Sequence, residues 1–237
     1  MHLFYQPDVQ TVPCLTDDES RHAVKTLRLG VGDTIAVTDG HGNRFSAVIT
    51  KADPRQCAFR ITGQQSTPSR PFSIRLCVAP TKNLDRIEWF VEKAVEVGIE
   101  RISFFFGQHS ERRVLKLERL EKIAVAAMKQ SLQSWLPQLD EAVSFDNLLK
   151  TVGEDQRFIA HLPEQSANTD EPPAHLLRAA TSGGQYTVLI GPEGDFSERE
   201  LQAATTAGFR MVTLGQNRLR TETAALVACQ ILTILNT

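Results

Sequence analysis

The chain has 237 residues, a hydrophobic fraction of 41% and a formal net charge of -2, which is typical of a globular protein that can bury a core in one or two domains. The longest apolar stretch, residues 224–235, is interrupted by Gln230 and is shorter than the roughly 20 residues of a membrane span, and no signal-peptide pattern opens the chain, so we expect a cytoplasmic protein. The absence of a Cys-x-x-Cys pair or a Cys/His cluster favours free thiols over a metal site, and the four cysteines are Cys14, Cys57, Cys77 and Cys229.

The first part of the chain, residues 1–68, is predicted to form a small β-rich domain. Short apolar segments predict strands at 3–5, 34–38, 44–50 and 57–62. The sequence Asp39-Gly-His-Gly-Asn43 separates the second strand from the third and is a strong hairpin signal. The polar, proline-containing segment 63–71 has no apolar periodicity and is predicted to be the linker to a second domain.

A short helix is predicted between the first two strands. Thr16-Asp-Asp-Glu19 has the spacing of a helix start, and the helix is predicted to continue to Leu27. His22, Lys25 and Arg28 recur every three residues, which places them on one side of this helix. A row of this kind is either an ordinary solvated face or a basic surface for a phosphate backbone.

Residues 72–237 alternate predicted strands with predicted helices, which is the pattern of an α/β domain with a parallel sheet. The predicted strands are 74–79, 101–106, 157–161, 186–190 and 209–214. The predicted helices are 85–98, 111–134, one that starts at Ser197, and 224–235. Lys82 follows the first of these strands, and Arg112 and Arg113 follow the second, so we expect these basic groups where the carboxyl ends of the strands meet.

Two glycine-containing loops follow the last two predicted strands. Gly191-Pro-Glu-Gly-Asp-Phe196 leads into Ser197-Glu-Arg-Glu200, which has the spacing of a capping box. In the second loop Gly215 permits a sharp turn, and Arg218 and Arg220 precede a helix start. Because ligands of open α/β sheets bind at the carboxyl ends of the strands, the two loops are predicted to form one pocket.

The start of the last helix contains side chains that stabilise helix N-termini. Thr221 or Thr223 is predicted to cap the helix, and Glu222 lies in the first turn, where the helix dipole favours a negative charge. An ordinary capped helix start accounts for these three residues. It does not account for two arginines, an Asn and a Gln beside a buried strand, which favours a binding site.

Together the two loops resemble the signature of a known family. Leu189-Ile-Gly-Pro-Glu-Gly-Asp-Phe-Ser197, followed by Leu214-Gly-Gln-Asn-Arg-Leu-Arg-Thr-Glu-Thr-Ala224, is similar to the paired motifs of the SPOUT methyltransferases. The resemblance is closer to the RsmE family, the 16S ribosomal RNA (uracil-N3)-methyltransferases, and extends to the segment His22–Asp33. It implies a PUA-like small β-barrel at 1–68 and a SPOUT α/β domain at 72–237, with a parallel sheet and a C-terminal trefoil knot.

The resemblance also implies a cofactor and a set of site residues. S-adenosylmethionine is expected to bind at Ile190, Gly191, Gly194, Leu214, Gly215, Leu219, Thr223 and Ala224. Arg220 is expected to stabilise the negative charge that develops on a uracil oxygen as N3 loses its proton. Glu222 is the candidate base, with a purely structural role beside the helix dipole as the alternative. RNA contacts are expected from His22, Arg28, Lys82, Arg112 and Arg113, and no metal ion is expected.

Ribosomal RNA or the small ribosomal subunit is the expected partner, although a net charge of -2 requires the positive charge to be local. N3 of uracil lies on the Watson–Crick edge, so the target uridine must be unpaired or flipped out. The resemblance further implies a homodimer, with the apolar surface of Val227–Leu235 as its contact. Two alternatives remain: a SPOUT enzyme that modifies a ribose 2′-hydroxyl or another base, and a non-catalytic RNA-binding ribosome-assembly factor that keeps the fold without the cofactor.

Overall fold

The computed structural model describes residues 2–153, 155–161 and 173–237. The chain divides into two compact units. The first contains residues 1–69 and 125–136, and the second contains residues 70–124 and 137–237. The first unit therefore includes residues 125–136 from the middle of the chain. The sequence-based prediction, which ends the first domain at residue 68, assigns this segment to the second domain.

The first unit is built on a four-stranded sheet with the order β1-β2-β3-β4. Its strands are β1 Leu3–Tyr5, β2 Thr34–Thr38, β3 Asn43–Lys51 and β4 Ala58–Ser66. β1 and β2 are parallel, and the other pairs are antiparallel. Large apolar side chains from all four strands fill its core, among them Phe4, Val37, Phe45 and Phe59, because alternate residues of a strand point to the same face.

The predicted hairpin is present between β2 and β3, but the predicted linker is wrong in its first half. Gly63–Ser66 continue β4 and pair with the start of β3. Their side chains are polar and exposed, so these residues show no apolar pattern, although main-chain hydrogen bonds hold them in the sheet. The connecting segment is therefore shorter than the sequence indicates.

The predicted helix after β1 divides into α1, Asp17–Arg21, and a π-helical turn, His22–Thr26. Thr16 caps α1 by accepting a hydrogen bond from the Glu19 amide, as its spacing predicts. Arg28 lies beyond the turn with a left-handed φ of 56°. His22, Lys25 and Arg28 therefore do not share one helical face, because the wider π turn and the left-handed residue change the side-chain directions.

Residues 125–136 contribute main-chain and side-chain bonds to the first unit. The Gly42 amide donates to the Ser134 carbonyl at 2.8 Å, and the Leu136 amide donates to the Gly40 carbonyl at 2.9 Å. The indole of Trp135 donates to the Thr67 carbonyl at 3.0 Å. These bonds tie the β2–β3 turn and the end of β4 to the later segment.

The second unit is a six-stranded parallel sheet with the order β10-β8-β9-β5-β6-β7. Its strands are β5 Phe72–Val78, β6 Arg101–Phe106, β7 Gln138–Ser144, β8 Gln156–Ala160, β9 Gly184–Ile190 and β10 Arg210–Val212. The helices of the chain after α1 are α2 Leu84–Val97, α3 Leu117–Gln130, α4 Phe145–Leu149, α5 Leu176–Ala179, α6 Glu198–Thr206 and α7 Thr221–Leu235. This architecture confirms the predicted α/β class and parallel sheet.

Three short elements, β7, α4 and α5, are absent from the sequence-based prediction. β7 lies at one edge of the sheet and carries mostly polar or half-buried residues, so it lacks the continuous apolar run of a central parallel strand. The predicted helix 111–134 is too long at both ends. The observed helix begins at Leu117 and ends at Gln130. Arg112 and Arg113 precede it, and their guanidinium groups donate to the main-chain carbonyls of Lys82 and Gly107. Leu132, beyond its end, has a left-handed φ of 57°.

The four cysteines are free thiols, as predicted. Burial raises the pKa of Cys77 and of Cys229 to about 12, so neither thiol ionises near neutral pH. Within the described residues no helix has both the length and the apolar character needed to cross a membrane.

The capping box at the start of α6 is formed as predicted and anchors the preceding loop. The Ser197 amide donates to Glu200 Oε2 at 2.9 Å, and the Gln108 amide donates to Glu200 Oε1 at 2.8 Å. Glu200 is a buried carboxylate. It therefore satisfies donors from two different loops.

Replacing Glu200 with Ala should lower the free energy of unfolding by about 2–3 kcal/mol, because two amide donors lose a charged acceptor. Glu198→Ala is the matched control, since Glu198 lies in the same first turn but is exposed, and it should cost less than about 1 kcal/mol. Urea denaturation of both variants measures the difference. Equal losses would show that the Glu200 bonds do not stabilise the fold.

Candidate functional site

A cavity of about 320 Å³ lies at the carboxyl ends of β8, β9 and β10, within the size range of small-molecule sites. Its lining residues come from three strand ends and from the start of α7. β8 lies between β9 and β10 in the sheet, so the two glycine-containing loops meet across the end of β8. The lining residues are Ala160, His161, Ile190–Glu193, Asp195, Val212–Gly215, Asn217–Thr221 and Ala224.

The first loop, Gly191–Phe196, is held by a buried aromatic ring. Phe196 stacks on Phe105 with ring centroids 6.1 Å apart and an interplanar angle of 8°. A Cβ at Gly191 would lie 3.0 Å from the Phe196 ring, so the main chain approaches the ring closely at this point. A Cβ at Gly194 would lie 2.9 Å from His109 Cβ. Both glycines allow close packing of this loop.

The second loop requires glycine for a different reason. Gly215 has a φ of 144°, which residues with a side chain rarely adopt. A Cβ built there would meet nothing within 4 Å. The main chain of Gly215 therefore borders open space in the cavity wall.

Thr221 joins the two loops. Its hydroxyl donates to the Gly191 carbonyl at 3.0 Å, and the side chain is buried. The prediction that Thr221 or Thr223 caps α7 is wrong, because Arg220 occupies the N-cap position and no side chain makes the capping bond. The Thr221 hydroxyl instead fixes the first turn of α7 against the loop after β9.

Of the eight expected cofactor residues, six line the cavity: Ile190, Gly191, Leu214, Gly215, Leu219 and Ala224. Gly194 and Thr223 do not belong to the lining. Gly194 packs against His109, and Thr223 is half-buried in the first turn of α7. The structure thus brings most of the expected set together from two loops that are separated in the sequence by α6 and β10.

The two catalytic candidates have different surroundings. Arg220 lines the cavity, is exposed, and its guanidinium has no hydrogen-bonding partner in the part of the chain that the structure describes. Glu222 is buried away from the cavity, with its Oε1 3.9 Å from Arg86 Nε. Its Oε2 has no hydrogen-bonding partner among the described residues. The structure therefore does not place Glu222 at the cavity.

Three of the five expected RNA contacts lie together near the ends of β5 and β6. Lys82 forms an ion pair with Glu111 at 2.8 Å, and the hydrogen bond that its ammonium donates to this carboxylate raises the pKa of Lys82. Arg112 donates to the Lys82 carbonyl at 3.0 and 2.8 Å, and Arg113 donates to the Gly107 carbonyl at 3.5 Å. The Lys82 amide donates to Glu193 Oε1 at 3.0 Å, which ties this basic cluster to the first loop.

His22 and Arg28, the other two expected RNA contacts, belong to the first unit. The His22 ring makes an edge contact with Phe4, with centroids 6.4 Å apart, and His22 lines a separate cavity of about 260 Å³ with His2, Lys129 and Gln130. Arg28 follows the π-helical turn.

Sequence reasoning missed two titratable residues of the cavity wall, His161 and Asp195. His161 Nδ1 lies 3.0 Å from Asp195 Oδ2. Partial burial alone would raise the pKa of Asp195, but hydrogen bonds from His161 and from the Phe196 amide outweigh it and hold the pKa below its ordinary value. His161 is the last residue of the predicted strand 157–161, so its position at a strand end is the available signal. No cluster of His, Cys, Asp or Glu suited to a metal ion occurs among the described residues.

Comparison with protein families matches residues 68–233 to an RNA methyltransferase domain and residues 15–62 to an RNA methyltransferase PUA domain. The first match covers well over half of the chain. The chain belongs to the RNA methyltransferase family. The PUA match also confirms the PUA-like character of the first domain.

Individual relatives agree with this assignment. The chain is 29% identical to Ribosomal RNA small subunit methyltransferase E of Rickettsia conorii, over 90% of this chain and 86% of the relative. It is 40% identical to the probable rRNA-methyltransferase of Porphyromonas gingivalis, with a TM-score of 0.91 and coverage of 100% and 98%. The Neisseria gonorrhoeae Ribosomal RNA small subunit methyltransferase E bound to S-adenosyl methionine is 27% identical, with a TM-score of 0.82 and coverage of 100% and 98%. The resemblance to the RsmE family is confirmed.

Replacing Thr221 with Val removes one hydroxyl and keeps the side-chain shape, so the Gly191 carbonyl loses its donor. We expect the free energy of unfolding to fall by about 1–2 kcal/mol. Thr223→Val is the matched control, because its hydroxyl has no partner among the described residues. Thermal and denaturant unfolding of both variants test this, and an equal effect would contradict a specific role for the Thr221–Gly191 bond.

Proposed function

We propose that this protein is an S-adenosylmethionine-dependent methyltransferase that methylates N3 of a uridine in the 16S RNA of the small ribosomal subunit. The observation that carries the proposal is the single cavity formed by the two loops Gly191–Phe196 and Leu214–Thr221 in a member of the RNA methyltransferase family. Relatives named Ribosomal RNA small subunit methyltransferase E cover nearly the whole chain. The Neisseria relative is bound to S-adenosyl methionine.

The cavity fits this cofactor in size and chemistry. Ile190, Leu214 and Leu219 provide apolar surface, and the main chain of Gly215 borders open space where an adenosyl group can lie against the backbone. We propose that these three residues with Gly191, Gly194, Gly215, Thr223 and Ala224 hold the cofactor, although Gly194 and Thr223 act from outside the lining. S-adenosylmethionine, when bound, supplies an electrophilic methyl group.

The protein must then orient uracil and stabilise its anion. We propose that Arg220 donates hydrogen bonds to a uracil oxygen, since its guanidinium lies at the cavity and has no partner among the described residues. A fixed positive charge placed where negative charge develops lowers the barrier more than it strengthens substrate binding. The burial of Glu222 beside Arg86 favours its structural role.

RNA binding is proposed for both domains, taken as 1–68 and 72–237. Lys82, Arg112 and Arg113 lie near the first loop and can hold phosphates that flank a flipped uridine. His22 and Arg28 are the proposed contacts of the first domain. Since ribosomal RNA is the proposed substrate, we propose that the protein acts in the cytoplasm.

We further propose that the first domain closes as a PUA-like barrel and that the last strand, loop and helix form a trefoil knot. The knot is supported by the sheet order, in which β8 separates β9 from β10, and by the Thr221–Gly191 bond between the two loops. A knot is a rare exception to ordinary chain connections. It would require the close backbone approach that Gly191 and Gly194 allow.

The proposed activity is tested with small subunits that lack the modification. The wild-type protein should transfer a labelled methyl group to one uridine, and mass spectrometry of RNA fragments should locate it at N3. In calorimetric titrations, Gly215→Val should abolish cofactor binding because valine disfavours a φ of 144°. Arg220→Ala should bind the cofactor but lose at least about 100-fold in kcat.

Transfer of the labelled methyl group to a ribose 2′-hydroxyl would instead support a different SPOUT activity. A folded wild type that binds no cofactor would support the non-catalytic assembly factor. Loss of cofactor binding in Arg220→Ala would contradict the assignment of that residue to the substrate.

We also propose a homodimer that uses the apolar surface of Val227–Leu235. Ile234 supports this surface because its side chain is 58% exposed although α7 is mostly apolar. Ile234→Glu should shift the protein from dimer to monomer in light scattering at micromolar concentration. Val31→Glu also replaces an exposed apolar side chain, outside this helix, and should leave the dimer intact. A monomeric wild type would refute the proposal.

A further inference from the structure

Asp195 holds the imidazole ring of His161 in one orientation. The His161 amide donates to the Val212 carbonyl at 3.1 Å, which fixes the main chain at the end of β8. Its ring is mostly buried, with 17% of the side chain exposed, and Nδ1 lies 3.0 Å from Asp195 Oδ2. Nε2 has no hydrogen-bonding partner in the described part of the chain. One ring nitrogen is therefore held, the other has no partner among the described residues, and His161 lines the cavity.

Asp195 adopts a left-handed backbone conformation. Its φ is 61°, in a region that L-residues other than Asn and Asp seldom occupy. The surrounding bonds over-determine this conformation: the Asp195 amide donates to the Pro192 carbonyl at 2.9 Å, and the Phe196 amide donates to Oδ1 at 2.8 Å. The Asp195 carbonyl lies 3.0 Å from His109 Nδ1. These bonds fix the position of the Asp195 carboxylate at the cavity.

Hydrogen bonds and the positive charge near the pair favour an ionised Asp195. Two hydrogen bonds and the nearby Arg218 lower its pKa against the effect of burial. Glu193 and Arg220 also line this cavity, and Arg218 donates to the Glu193 carbonyl at 3.3 Å. An ionised Asp195 accepts a hydrogen bond from Nδ1–H of His161, which leaves the lone pair on Nε2.

We propose that His161 is the general base that removes the N3 proton of the target uracil, and that Asp195 is the positioning residue that sets its tautomer. This proposal rests on the proposed function. The N3 proton passes to Nε2 of His161, and the N3 electron pair forms the new bond to the methyl carbon. The electron pair of the broken bond between sulfur and methyl remains on sulfur. Solvent then takes the proton from the imidazolium.

The step needs a base because neutral uracil N3 has no free electron pair for attack. Positioned general bases contribute about 100- to 10,000-fold to rate. Glu222 cannot take this role from its buried place beside Arg86. Among the described residues that line the cavity, His161 is the one whose side chain has a nitrogen lone pair that can accept the N3 proton.

Two variants and a modified substrate test the assignment. His161→Gln keeps a polar side chain of similar size, and it should lower kcat at least about 100-fold while cofactor affinity in calorimetry stays unchanged. Asp195→Gly removes the carboxylate at a φ that glycine prefers, so it should fold normally and also lower kcat. His109→Gln is the matched control, since the His109 ring reaches the main-chain carbonyl of Asp195 and makes no hydrogen bond to its carboxylate among the described residues, and this variant should retain activity.

The decisive measurement is whether a substrate with a more acidic N3–H restores the methylation rate of His161→Gln. Small subunits reconstituted with 5-fluorouridine-containing 16S RNA carry a more acidic N3–H, so His161→Gln should recover much of its rate on them and at raised pH. Wild type should gain little. A second readout needs no cofactor: nitrogen NMR should show wild-type His161 protonated on Nδ1, and Asp195→Gly should lose this preference.

Several results would overturn the proposal. An unchanged kcat in His161→Gln, or an equal loss on both substrates, would place the base elsewhere. Weaker cofactor binding with an unchanged kcat would make His161 a cofactor contact. A wild type that methylates neither substrate would refute the proposed function and this assignment with it, whereas an active wild type with an active His161→Gln would refute the assignment alone.

Discussion

The hydrogen bond from the Thr221 hydroxyl to the Gly191 carbonyl is the interaction on which the site depends. It joins the loop after β9 to the first turn of α7, two segments that are 30 residues apart in the chain. Each loop alone is a short connection at a strand end. Once joined, they line one cavity, and backbone groups can contact a flat, polar ligand closely wherever glycine removes the side chain.

The cavity combines two kinds of specificity. Its glycines and leucines suit a ligand held by shape and main-chain contacts, whereas Arg220, His161 and Asp195 offer directed charge and hydrogen bonds. This division is suited to group transfer, in which one molecule carries the reactive group and the protein needs mainly to align and deprotonate the other. The left-handed φ of Asp195 is one that few other residue types adopt, so the loop conformation and the carboxylate at this position go together.

Much of the fold is readable from the sequence, because buried parallel strands are short apolar runs and amphipathic helices have a regular period. β6 was predicted with its observed ends, and α2 ends at Gly98 as expected. Elements held mainly by backbone bonds or polar surroundings were missed, such as the last four residues of β4 and the edge strand β7. The π-helical turn at His22–Thr26 could not be predicted either, because its sequence is compatible with an ordinary α-helix.

The site was predictable where it is local and unpredictable where it depends on sheet order. The two loops were recognisable from their glycines and charges. The position of β8 between β9 and β10 is a non-local property, and it alone brings His161 to Asp195. Likewise, Glu222 and Arg220 are two residues apart in sequence, yet only the structure separates the buried carboxylate from the guanidinium at the cavity.

The inclusion of residues 125–136 in the first unit has a consequence for synthesis of the protein. The β2–β3 turn receives bonds from Ser134 and Leu136, so the N-terminal sheet cannot complete its contacts when its own strands leave the ribosome. A chain made at about 5–20 residues per second must add some 70 further residues first, which takes several seconds. During that interval the nascent sheet lacks part of its final packing, so chaperones and proteases would meet it in an unfinished form.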